Sequence, residues 1–179
     1  MNATAISTCT LGSLLALALL GGADSKDLDP HLEPLRPLLG KTWRGELKAT
    51  APEKGTVDVA RWERALNGKA VRILHSINDG IYGGETLIFW DAEKKEVVSY
   101  YFTTSGFYTV GTFAFTEGKV KTHEKVSGSA GGIAEVRATS ELLPDGGFHV
   151  RSEHLKDGAW SAGHEVTYRE DPKAEVKFR

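Results

Sequence analysis

The side chains with the most chemical reach in this chain are histidines that share a strand face with apolar neighbours. His75 lies in phase with Val71, Ile73 and Ile77, and His164 in phase with Trp160, Ala162, Val166 and Tyr168. A buried neutral imidazole can ligate haem iron or a metal, or act as an acid–base group. The plainer alternative is a core histidine satisfied by hydrogen bonds. His154 shares a face with Phe148 and Val150, while His149 falls on the opposite face, so these two do not pair.

Aromatic residues form the second constellation. Tyr82, Phe89, Trp90, Tyr100, Tyr101, Phe102, Phe107, Tyr108, Phe113 and Phe115 crowd into one stretch. Neighbouring strands this rich in rings can line an apolar ligand pocket or fill an ordinary core. Consecutive rings such as Tyr100-Tyr101-Phe102 must alternate between faces. The residues expected to bind a ligand are Trp43, His75, Phe89, Tyr101, Phe113 and His164.

Several chemistries lack their signatures. His164-Glu165 is not a zinc-protease helix, because position 168 is Tyr and the segment reads as strand. There is no Gly-x-Ser-x-Gly, P-loop or dinucleotide glycine fingerprint. Glu63, Glu85, Glu124 and Glu135 are too scattered to read as paired acids. Lys119, Lys121, His123 and Lys125 make a basic stripe opposite Glu135, Arg137 and Glu141, the pattern of cross-strand ion pairs on a solvent face. No catalytic or metal-binding set emerges. With a net charge of −2 and no basic block, nucleic-acid binding has no support.

The elements that must position these residues are strands. From Lys41 the apolar period becomes two, first in Trp43, Gly45 and Leu47. Further strands are expected at 56–66, 69–77, 82–90, 96–104, 107–117, 119–126, 133–142, 148–156 and 159–169. Asn67-Gly68, Glu117-Gly118 and Asp157-Gly158 are tight hairpin signals. Short connections leave no crossover helix, so sequence neighbours should pair antiparallel. A meander of that length removes its exposed edges by closing. The fold class expected is all-β, a single closed antiparallel meander barrel of about 8–10 strands.

Ahead of the barrel, residues 24–40 read as a linker and short N-terminal helix. Pro30, Pro34 and Pro37 forbid a long helix, and Leu32, Leu35, Leu38 and Leu39 can plug one sheet end. Residues 1–23 read as a signal peptide: Leu11–Leu20 is apolar apart from Gly12 and Ser13, and Gly21-Gly22-Ala23 offers a cleavage site. That run is too short to span a bilayer, which takes roughly 20 apolar residues. Cleavage after Ala23 removes Cys9 and leaves an exported, secreted or periplasmic domain without cysteine. The barrel domain is expected over 41–170 and a tail over 171–179.

The phrase Leu38-Leu39-Gly40-Lys41-Thr42-Trp43-Arg44-Gly45 resembles the first strand of calycin-like barrels, which include lipocalins and fatty-acid-binding proteins. In those barrels a Gly-x-Trp opens the strand and the Trp packs across one end; here one more residue separates Gly40 from Trp43. Arg61-Trp62, Leu66-Asn67-Gly68-Lys69, Leu87-Ile88-Phe89-Trp90-Asp91, Tyr100-Tyr101-Phe102 and Trp160…Glu165-Val166-Thr167-Tyr168-Arg169 are similar to the lipocalin-like family of exported bacterial proteins known as DUF1579. That resemblance implies a fold and no established chemistry. The Leu-Leu-Gly…Trp-Arg-Gly run also resembles nitrobindin-like barrels, which implies haem as a cofactor. The Gly-rich, Tyr-Pro-containing continuation of those barrels is replaced here by Glu46-Leu47-Lys48-Ala49-Thr50.

The function expected is non-catalytic binding of a small hydrophobic or amphipathic ligand. The alternatives are a haem-binding protein and a small-substrate enzyme using interior His and Tyr.

Overall fold

The computed structural model describes residues 27–48, 55–116, 118–128 and 130–179. The expected signal segment and its Cys9 lie outside the described residues, as does Glu117 of the Glu117-Gly118 turn. Ten strands form a closed barrel in which each pairs antiparallel with its sequence neighbours and the first pairs with the last. They are β1 (Lys41–Lys48), β2 (Thr56–Ala65), β3 (Ala70–Ile77), β4 (Tyr82–Asp91), β5 (Glu96–Thr103), β6 (Tyr108–Thr116), β7 (Lys119–Ser127), β8 (Ile133–Leu142), β9 (Phe148–Lys156) and β10 (Ala159–Glu170). No helix among the described residues is long and apolar enough to cross a membrane.

The turns act as their sequences predict, with one refinement. Asp157-Gly158 is a two-residue hairpin with positive φ at both positions, between the paired Lys156 and Ala159. Asn67-Gly68 also takes positive φ at both positions, but inside a longer loop. The ladder ends at Ala65↔Ala70, and the Lys69 N–H donates to the Leu66 carbonyl across the turn. The basic stripe faces outward, with Lys119 paired to Glu141 and His123 to Glu135 across β7 and β8.

A 3₁₀ helix, Pro30–Leu38, closes one end. Asp29 caps it by accepting from the His31 N–H. In a three-residue turn, positions three apart eclipse one another. Leu32, Leu35 and Leu38 therefore form a single ridge, and all three are buried. Each contributes about 1.5–3 kcal/mol by leaving water. The plug is pinned at its start, where the Asp29 N–H donates to the Gly68 carbonyl and His31 stacks on Trp90 at 3.6 Å.

Trp43 lies directly against this plug, fully buried, and its Nε1 donates to the Leu38 carbonyl at 3.1 Å. Phe148 meets its ring edge-on at 5.0 Å, and Tyr168 stacks on Phe148 at 4.6 Å. Trp62 joins the same cluster. The densest core is thus a floor at one end of the barrel. The tail beyond β10 packs on the outside, where the Lys177 N–H donates to the Ser76 Oγ.

Trp43→Ala should lower stability by about 3–5 kcal/mol, since a large buried ring and its hydrogen bond are lost together. Chemical denaturation followed by circular dichroism measures this; a loss below about 1 kcal/mol would mean that the floor does not depend on this residue.

Candidate functional site

Above the floor the barrel holds a cavity of about 550 Å³. Its walls are mostly aliphatic and aromatic, and its titratable groups fall into three sets.

The first set is a chain of hydrogen bonds centred on His75. On β2, Asp58, Ala60 and Trp62 alternate inward; Asp58 and His75 of β3 both line the cavity. The His75 Nδ1 lies 3.0 Å from the Asp58 Oδ1, and its Nε2 lies 2.7 Å from the Tyr101 hydroxyl. The Tyr82 hydroxyl is 2.7 Å from that of Tyr101. At the other end of the chain, the Tyr168 hydroxyl donates to the Asp58 Oδ2 at 2.5 Å. Both oxygens of Asp58 are thus engaged. Burial pushes the Tyr101, Tyr82 and Tyr168 hydroxyls above the ordinary phenol value, so all three remain protonated donors at neutral pH. Gly84 of β4 makes room for this arrangement, because a side chain there would collide with the Tyr101 ring.

The second set is Glu124 with Thr109. Glu124 alternates inward with Thr122 and Val126 along β7. Its Oε2 accepts from the Thr109 hydroxyl of β6 at 2.5 Å. Burial raises its carboxyl above the usual carboxylate value, opposed in part by that hydrogen bond.

The third set is His154 with His164, their rings edge-to-face at 5.3 Å. A bulge in β10 places His164. Register is lost between Ala162 and Glu165, and Ser152 bridges the gap: its hydroxyl accepts from the His164 N–H at 2.8 Å. Gly163 is required there, since a Cβ would lie 2.5 Å from the Ser152 Oγ and 2.8 Å from the His154 Nε2. Burial lowers both imidazoles below the usual histidine value, so both are neutral at neutral pH. His164 is nonetheless exposed as a residue.

Of the residues expected to bind a ligand, His75, Tyr101, Phe113 and His164 line the cavity. Trp43 does not: it is sealed into the floor beneath it. Phe89 is a correction. Tyr82 and Thr86 of β4 face inward, so period two sends Phe89 outward, where it stacks on Tyr100 at 6.1 Å. Phe102 and Tyr108 likewise stack on the outside. Trp160 is a second correction: the bulge breaks its phase with His164, and it lies beneath the Arg137 guanidinium at 4.2 Å on the outer face. His149 is also outside, with its Nδ1 3.0 Å from the Thr167 hydroxyl.

Sequence reasoning passed over Asp58, Thr109 and Ser152, named Tyr82 and Tyr168 only as aromatic or apolar neighbours, and gave Glu124 no distinct role. One signal was present: Asp58 shares the face of Ala60 and Trp62, and Glu124 that of Val120 and Val126. A carboxylate on an apolar strand face is as informative as a histidine there.

The chain superposes on the solved structure of Rv2717c from M. tuberculosis with a TM-score of 0.61 and 13% identity, over 81% of this chain and 99% of that one. The two share a barrel fold. No family model and no curated protein matches the chain.

Glu124 makes a pH-dependent prediction. Its folded-state carboxyl is raised, so the stability it contributes is fully present below its unfolded value and is lost as pH rises through its folded value. Glu124→Gln keeps an acceptor for Thr109 and cannot ionise. The variant should therefore melt above the parent at pH about 8, with the difference shrinking towards pH about 4. The lowered His154 and His164 titrate in both proteins and cancel. A difference that grows on acidification would contradict the burial of this carboxyl.

Proposed function

We propose that the protein is an exported lipocalin-like barrel that binds one small amphipathic molecule inside the cavity. The observation that carries this reading is the cavity itself: a closed wall, a sealed floor, and an apolar lining with a few grouped polar side chains. Ligand sites have this composition. The resemblance to DUF1579 agrees with it in fold and export, and adds no chemistry.

A second reading, a small-substrate enzyme, draws on the Asp58–His75–Tyr101–Tyr82 chain. A carboxylate that orients an imidazole, which in turn contacts a hydroxyl, can relay a proton to a bound molecule. Haem fits the same residues less well. Both nitrogens of His75 are engaged, so ligating iron through Nε2 would break its contact with Tyr101. His154 and His164 crowd one another, and no Lys or Arg stands among the described lining residues to meet a propionate.

The neutral fluorophore N-phenyl-1-naphthylamine should bind saturably at one site per chain. His164→Trp should weaken it by about tenfold or more by filling the cavity, whereas His149→Trp on the outer face should leave it unchanged. Absence of saturable binding would remove the binding reading. A Soret band on haemin titration would favour haem, and turnover of a co-purifying molecule that is lost in His75→Gln would favour the enzyme. For export, N-terminal sequencing of protein recovered from cells should find a start within a few residues of Asp24; an intact Met1 would exclude cleavage.

A further inference from the structure

The polar groups of the cavity are unevenly matched in charge. Its lining includes the carboxyls of Asp58 and Glu124 and, among the described residues, no Lys or Arg. Asp58 is satisfied by His75 and Tyr168, so a proton on His75 would be matched by that carboxylate. His154 and His164 are held neutral by burial and add no positive charge at neutral pH. Glu124 has the Thr109 hydroxyl as its hydrogen-bond partner and no described ion pair.

Thr109, which donates to Glu124, pairs with Tyr101 across β5 and β6; the Tyr101 hydroxyl meets that of Tyr82, and Phe107 stacks against Tyr82 at 6.4 Å. An anionic head group entering this space would meet carboxyls and no compensating cation. An organic cation would meet a buried carboxylate and several ring systems, the combination that recognises ammonium groups. Burial disfavours ionisation of Glu124, and a bound cation would supply a counter-charge.

We propose that the cavity selects an organic cation, a protonated amine or quaternary ammonium on an apolar frame, seated against Glu124 among Tyr82, Tyr101 and Phe107. This rests on the reading of the cavity as a ligand site and narrows it to one chemical class. It distinguishes this barrel from one built to hold a carboxylate lipid, which calls for a basic side chain inside.

The test is displacement of N-phenyl-1-naphthylamine from the full chain by three matched octyl compounds below their micelle concentrations: octyltrimethylammonium, octanol and octanoate. The ammonium should displace the probe at a concentration roughly tenfold or more below that of octanoate, with octanol between them. Glu124→Gln should abolish the advantage of the ammonium, whereas Glu135→Gln on the outer face should leave the ranking of the three compounds unchanged. Octanoate equal to or better than the ammonium would overturn the cation proposal while leaving the binding site intact. An undiminished ammonium advantage in Glu124→Gln would overturn the role of Glu124. Failure of the naphthylamine itself to bind would overturn both readings. Should the variant not fold, the ranking of the three compounds on the parent protein decides the matter.

Discussion

Sealing one end of the barrel is the constraint on which the rest depends. Ten strands enclose more space than their own side chains fill, so the chain needs a floor that is neither strand nor water. The 3₁₀ plug and Trp43 supply it together. Prolines keep the segment in tight turns, the tight turns align three leucines, and the Trp43 Nε1 bonded to the Leu38 carbonyl fixes the plug to the first strand. With apolar burial concentrated at the floor, the upper half can remain hollow.

Strand register then decides which side chains share that hollow. Asp58 and His75 lie two positions out of direct register, yet their side chains meet because strands in a twisted barrel are tilted and diagonal neighbours come within reach. Tyr101 arrives from β5 across β4, which presents Gly84 at that level instead of a side chain. The bulge in β10 does for His164 what the glycine does for Tyr101. It spends one extra residue to turn an imidazole inward beside His154, with Ser152 satisfying the backbone that the bulge unpairs.

Much of the fold was legible because period-two alternation and Gly-containing turns are local signals. The strands from Ile133–Leu142 and Phe148–Lys156 fall where the pattern places them. The site was legible only in part. His75 and Tyr101 follow from uninterrupted alternation. Phe89 was assigned by its aromatic character alone, while the parity of β4 already sent it outward. Trp160 was lost to a bulge, which a single Gly163 signals too weakly to read. The Asp58–His75 pairing needs the register of β2 against β3, and the lack of a Lys or Arg among the described residues lining the cavity of Glu124 needs the whole wall. Neither is encoded over a short stretch.

The interior polar groups differ in how completely the protein satisfies them, and this separates scaffold from site. Asp58 has a partner on each oxygen and joins β2, β3 and β10 into one unit, so it behaves as structure as much as chemistry. The Trp62 Nε1 is buried with no acceptor among the described residues, and Glu124 has a hydroxyl where a buried carboxylate calls for a cation. Each shortfall costs folding free energy that a filled, apolar interior would avoid. Of the two, Glu124 lines the cavity, whereas the Trp62 Nε1 is sealed within the floor. A molecule that offers positive charge to the Glu124 carboxyl would relieve the one that a ligand can reach. Unsatisfied groups of this kind are better guides to a ligand than the satisfied His75 chain, because binding gains most where the empty protein is least content.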